Sequence, residues 1–493
     1  YQHLKDRMLL DQDFTEKNIF TLNQQQRLNT ISEEIVMKSK AGQNWQWTNG
    51  IFGFYQWLNT DGPVEFKEEG VKEVIEDNAN NNFPSSPGAP TMRLTVNNPT
   101  LNVSGNFDTP TFSAAIYHQS TYNNFLIKGL SITAGLRLDY EKMSMNYTSA
   151  STPMDFNFKF YMQMPPPRPT IDLEAKNMIA PASFNGKLSN DYLQLLPKFA
   201  IQYEWKKGNN VYVTASRGYR SGGYNVQMFS DLIQSQLKNS MKAAMISNET
   251  FASMANMIET MMPDEEIDIK ASTTYKPEYS WNYEVGSHLT LWEGRLWADL
   301  AAYYMDTKDQ QISQFAESGL GRITINAGKS RSFGAEASLR ASITDAFSMN
   351  ASYGYTYATF TDYVVNQKDE DGKLVKKSYN GNYVPFVPKH TLSVGAQYIF
   401  RIAPRHWLDR VQVNANYNAA GRIYWTEENN VSQAFYGTLN GRVSLEKGNG
   451  VLAFWIRNAL DKEYQAFYFE SMGNGFMQKG RPMQLGVDVR CRF

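Results

Sequence analysis

Along most of the chain apolar and polar residues alternate one by one. In SITAGLRLDY, Ile132, Ala134, Leu136 and Leu138 share one side, and Thr133, Arg137 and Asp139 the other. The same period of two recurs in RLWADLAAYY, where Leu296, Ala298, Leu300, Ala302 and Tyr304 face away from Trp297 and Asp299. In GAEASLRAS, Ala335, Ala337 and Leu339 oppose Glu336, Ser338 and Arg340. It returns at Val411, Val413, Ala415 and Tyr417, set against Gln412, Asn414, Asn416 and Asn418. The final segment sets Leu485, Val487, Val489, Cys491 and Phe493 against Gln484, Asp488, Arg490 and Arg492. This spacing predicts strands with one apolar and one polar face. The hairpin around which the chain is organised runs LQLLPKFAIQYEWKKGNNVYVTASRGYRSGGYN, from Leu193 to Asn225, and turns at Lys207–Asn210.

The strands are about 10 to 18 residues long, which suits a tilted membrane crossing with an extension above the bilayer. Their connections alternate. Short turns fall near Ala41–Gly42, 207–210, Glu293–Gly294, Thr344–Asp345 and 447–450. Long loops lie between them, near 58–110, 147–191, 226–275, 313–322, 364–383, 426–433 and 468–478. One trimmed end and one elaborated end is the asymmetry of outer-membrane barrels. Counting gives about 16 strands, which taken literally is a porin-sized antiparallel β-barrel.

Composition narrows this reading. In 493 residues the hydrophobic share is 42% and mean hydropathy is −0.49. No run approaches the roughly 18 apolar residues of a spanning helix. Aromatics nevertheless make up 14%, which suits an outward apolar band with aromatic girdles around a polar interior. A formal net charge of −1 leaves no global field to attract nucleic acid, so no such partner is expected. Cys491 is alone and forms no internal disulfide.

Loop 226–275 differs from the rest. Leu237, Met241, Ala244 and Met245, then Phe251, Met254, Ile258 and Met261, recur at helical steps, with a break at Asn248–Glu249 and a stop at Pro263. The two helices either pack on each other over the mouth with Met as filler, or present a stripe to a hydrophobic partner such as a surface lipoprotein, or to Cu(I). His3, His118, His288, His390 and His406 are scattered without metal-ligand spacing, so no metal site is expected. No nucleophile elbow, phosphate loop or catalytic carboxylate pair stands out, and no enzyme is expected.

Where the hairpin leaves the membrane, Arg217, Tyr219, Arg220, Tyr224 and Asn225 gather. Arg forms paired hydrogen bonds to carboxylate, catecholate or hydroxamate oxygens, and Tyr adds a stacking face. They are candidate ligand contacts, as are the rim aromatics Tyr424, Trp425, Phe467 and Tyr468. The bland alternative places the tyrosines in an aromatic girdle and pairs Arg217 with a neighbouring carboxylate. Inward faces carry Arg137, Arg340, Arg442, Arg457, Arg490 and Arg492, with Asp139, Glu336, Glu446 and Asp488 as partners.

The hairpin block PKFAIQYEWKKGNNVYVTASRGYRSGGYN resembles the mid-barrel hairpin of TonB-dependent outer-membrane receptors. In family order follow YKPEYSWNYEVG (275–286), NAGKSRSFGAE (326–336), VPFVPKHTL (384–392), WIRNALDKEYQ (455–465) and the closing KGRPMQLGVDVRCRF. The resemblance implies a bacterial outer-membrane barrel of 22 strands with a plugged lumen. The chain would be its C-terminal part, 1–493, without the plug, the TonB box and the leading strands. The inward Arg, Asp and Glu residues would then face the plug, and Phe493 would serve as the barrel-assembly signal. The implied function is TonB-energised uptake of a ferric siderophore, with the ferric chelate as cargo and no covalent cofactor. Its partners would be outer-membrane lipids and, through the plug, the TonB complex. Haem, cobalamin or glycan receptors of the same family, and a passive porin, are the alternatives.

Overall fold

In a computed structural model the alternating segments join into one antiparallel sheet of 18 strands. It describes all residues except 12, 82, 84–88, 165–166, 317–320, 369–373, 404–405, 472 and 493. Phe493 therefore lies outside the described residues. Most of the sheet is a meander in which each strand pairs with the next. It begins β1 (Gln2–Asp11), β2 (Phe20–Lys38), β3 (Trp45–Asp61), β4 (Thr111–Asn123), β5 (Leu130–Ser151) and β6 (Ser183–Lys206). It continues β7 (Asn209–Arg220), β8 (Glu278–Leu291), β9 (Leu296–Lys308), β10 (Lys329–Ser342) and β11 (Phe347–Asp362). It closes with β12 (His390–Arg401), β13 (Arg410–Ala420), β14 (Tyr436–Lys447), β15 (Gly450–Arg457) and β16 (Gln484–Cys491). Two short strands, Val64–Phe66 and Leu101–Asp108, widen the sheet where β2, β3 and β5 rise above it.

The pleat sorts the side chains. Ile116, Leu136, Ile201, Val213, Leu300 and Val487 stand exposed on one face, the continuous apolar band of a barrel in lipid. No helix among the described residues is long and apolar enough to cross a membrane, which says nothing of strands. On the other face rings cover glycines across the ladder. A Cβ on Gly50 would lie 2.1 Å from Tyr117 Cζ, and one on Gly486 2.1 Å from Trp455 Cζ2, so only glycine admits these rings.

At the elaborated end the expected loops 58–110 and 147–191 are folded. Strands Thr91–Val96, Met154–Met162 and Ile171–Ala180 form a second sheet. In MDFNFKFYM the period of two continues, and Met154, Phe156, Phe158 and Phe160 are at most 1% exposed. Their face packs against protein, so the usual membrane cues do not announce it. Helices α1 (Met228–Ser247) and α2 (Ala255–Met261) lie on this sheet, with Asn248 extended between them. Leu237, Met241, Met245, Phe251, Met254 and Ile258 all enter the same core. The methionine stripe therefore faces this cap.

Candidate functional site

The wall below the cap carries several paired charges. Arg137 on β5 makes two hydrogen bonds to Asp139, at 2.6 and 2.8 Å. Its guanidinium also lies over the rings of Phe52 and Tyr117, and Tyr117 donates to Glu34. Further round, Arg442 on β14 donates to Asp488 on β16 at 2.6 Å, Trp455 donates to the same carboxylate, and Arg457 covers the Trp455 ring. Glu336 lines a depression with Tyr212, Glu284, His288 and Asp299. Arg340 stands opposite Trp297 and Asn350, Arg490 opposite Val451, and the Arg492 N–H donates to Asn449 O. Glu446 pairs with Arg410. The pairs Arg137–Asp139, Arg442–Asp488 and Arg410–Glu446 leave the wall wet and locally neutral, whereas the depression with Glu284, Asp299 and Glu336 is acidic.

At the top of β7 the predicted cluster divides. Arg217 lies 4.8 Å over Tyr279 and reaches Leu195 O. Tyr219 and Ser221 both donate to Glu141, at 3.3 and 2.7 Å, and Glu141 is 3% exposed. Tyr224 donates to Met143 O and accepts from Asn190. Asn225 donates to Thr324 O and accepts from Thr324 N, both at 2.8 Å, while its own N–H donates to Thr273 O. These hydroxyls and amides are held in fastening the segment Gly222–Asn225 to its neighbours. Arg220 is exposed, and burial holds Tyr275 above the ordinary tyrosine value, against the opposing charge of Arg220.

The rim aromatics converge with residues the sequence did not single out. Phe386 stacks on Phe467 at 5.7 Å and touches Trp425 at 5.5 Å. Trp425 is 6% exposed and donates to Gln465. Tyr424 stacks on Tyr383 at 5.2 Å, and Lys389 lies 4.5 Å over that ring. A hydrogen bond with Tyr383 holds Lys389 above the ordinary lysine value, so it is cationic at neutral pH. Tyr468 donates to Glu470. Phe386 has φ +65°, a conformation a bulky side chain rarely adopts, and is 41% exposed. Its signal was a large aromatic in the VPFVP segment, between two prolines and away from any strand. The strand Arg322–Asn326 joins the two groups: Thr324 is bound by Asn225, and Arg322 lies 5.8 Å over Phe467.

A strand-built membrane wall with a polar lumen and a folded outer cap defines an outer-membrane barrel of the receptor class. The chain belongs to the TonB dependent receptor-like, beta-barrel family, which matches residues 2–459. It is an outer-membrane protein, and the family consists of receptors and transporters.

It is 23% identical over 320 residues to the pesticin receptor of Yersinia pestis, covering 64% of this chain and 38% of that protein. It is 26% identical over 242 residues to the metal-pseudopaline receptor CntO of Pseudomonas aeruginosa, covering 48% and 31%. The chain thus spans less than half the length of these relatives. The crystal structure of the ferric yersiniabactin uptake receptor FyuA from Yersinia pestis superposes with a TM-score of 0.64 at 17% identity, covering 100% of this chain and 57% of that one. That likeness is one of fold.

Proposed function

We propose that this chain is the ligand-handling barrel of a receptor that imports a ferric siderophore with energy delivered by TonB. The observation that carries the reading is the mouth itself, where Arg322 lies on Phe467, Phe467 stacks on Phe386, and Thr324 ties the same strand to Asn225, five residues beyond Arg220. A planar guanidinium on the half-buried Phe467 ring, next to the exposed Phe386 ring, suits a bulky chelate that combines anionic oxygens with flat apolar parts. Several relatives carry names that point the same way, including the ferric-pyoverdine M114 receptor of a Pseudomonas strain. In this reading the ferric chelate is cargo and the protein needs no covalent cofactor. The neutral wall of Arg137–Asp139 and Arg442–Asp488 would face a plug through which the TonB complex pulls. The test is equilibrium binding of a ferric-siderophore panel to the full-length receptor. Arg322→Ala, which loses one charge-assisted contact, and Phe467→Ala, which loses a stacking ring, are each expected to weaken binding of the chelate about tenfold, roughly 1.4 kcal/mol.

A further inference from the structure

The cap contains a cavity of about 220 Å³ that takes no part in the mouth. Ile75, Ala79, Met154 and Met262 line it together with Leu237 and Met241 of α1. The surrounding core is tight: Phe158 and Phe251 are at most 1% exposed, and their rings meet edge to face at 5.5 Å. The space is therefore a local feature of a closely packed unit.

A strap of residues 261–265 runs along its edge and is fixed to α1. Asn239 donates to Glu265 O at 3.0 Å and accepts from Glu265 N at 2.9 Å. Lys238 donates to Glu265 at 2.8 Å, and Lys242 pairs with Asp264. The charged groups at the opening are thus already partnered. What enters past them meets the aliphatic side chains of Ile75, Ala79 and Leu237, the Phe83 ring and the methionine thioethers, with the neutral amides of Asn78 and Gln234 as the remaining polar groups. Such a lining rewards an uncharged, largely apolar group and offers a charge no free ionic partner among Lys238, Lys242 and Glu265.

We propose that this cavity is a binding pocket for the uncharged, apolar part of an amphiphile, one ring system or a short alkyl chain, whose polar part stays in water beside the ion-paired strap. Size supports the class, since a dry cavity of about 150 Å³ lined by Leu, Ile and Phe already takes up benzene. The methionines adapt their shape to the guest, because the thioether chain is unbranched and flexible. The pocket shares no residue with the Arg322 and Phe467 platform, so it stands independently of the siderophore reading. Its ligand comes either from the surrounding membrane, as a lipid tail, or from solution.

The test uses the full-length receptor in lipid nanodiscs, with empty nanodiscs as reference and indole as the soluble probe, read by calorimetry. Saturable indole binding is expected, and Ala79→Phe, which fills the space, is expected to weaken it at least about tenfold, as loss of a buried ring contact does. Met262→Phe fills it from the strap and serves as the second variant should Ala79→Phe reduce amide protection in α1. Competition by dihexanoyl phosphatidylglycerol assigns the site to a lipid tail, and its failure to compete assigns it to a soluble amphiphile. The proposal is overturned by no saturable binding above empty nanodiscs, by indole binding that both variants leave unchanged, or by tight Cu(I) binding that excludes indole.

Discussion

Replacing Asn225 by alanine removes one fastening of the strand Arg322–Asn326, which Asn326 also ties to Lys276 and Asp309. The side chain makes two hydrogen bonds with the Thr324 backbone, both 2.8 Å long. Neutral bonds of this kind contribute about 1 kcal/mol each. Asn225 is 7% exposed, but Thr324 is only half-buried, so water can reach its N–H and C=O once the amide is gone. That keeps the cost near about 2 kcal/mol instead of the larger penalty for a stranded buried group. An opening free energy lowered by about 2 kcal/mol makes the strand open roughly 30 times more often. Hydrogen exchange on peptides covering 311–326 reads this directly, with β8 and β9 as internal references. Asn225→Asp keeps the acceptor and loses the donor, and is expected to fall between. Unchanged protection in Asn225→Ala would refute the fastening role. If affinity for a chelate then fell regardless, Asn225 would be a direct ligand contact.

Phe158→Ala, deep in the cap and ringed by Phe83 and Phe251, is expected to cost about 3 to 5 kcal/mol. Exchange protection in α1 should fall while β12–β14 stay protected; a uniform loss would mean that cap and wall are one cooperative unit. Burial, then the carboxylates of Glu470 and Glu428, raise Glu427 above the ordinary glutamate value. The folded rim therefore holds that proton more tightly than the unfolded chain, and this stabilisation, complete below the ordinary value, is lost as pH rises through the raised one. Glu427→Gln should stabilise residues 421–435 at neutral pH and flatten their pH profile, measured by exchange at several pH values; an unchanged slope would contradict this. Arg442→Ala breaks a pair whose side chains are 36% and 50% exposed, and should cost under about 1 kcal/mol in thermal unfolding. A larger loss would show that the lumen wall is drier than the exposures indicate.

The wall was readable in the sequence because lipid and water impose opposite demands on alternate residues. Val411 to Asn418 and Leu485 to Arg492 state their two faces openly. The cap was harder to read. Met154 to Phe160 alternate just as clearly, but their apolar side is covered by helices distant in sequence, and the segment sits inside what spacing marks as a loop. The helical period in 228–262 was readable, whereas the direction of its methionine stripe depended on that hidden sheet. At the mouth, residue type flagged Arg217 to Asn225, yet whether an amide fastens or binds depends on what lies across from it. For Asn225 that partner, Thr324, is 99 positions away in the chain. Phe386, Arg322 and Lys389 enter the platform through contacts between loops, which no local period announces.

The most direct measurement is equilibrium binding of ferric siderophores, haem, cobalamin and oligosaccharides to the full-length receptor in outer-membrane vesicles, alongside Arg322→Ala and Phe467→Ala. Tight binding of one ferric chelate, weakened by both substitutions, is the expected result. Tight cobalamin binding with no ferric siderophore bound, or chelate binding indifferent to both residues, would contradict it.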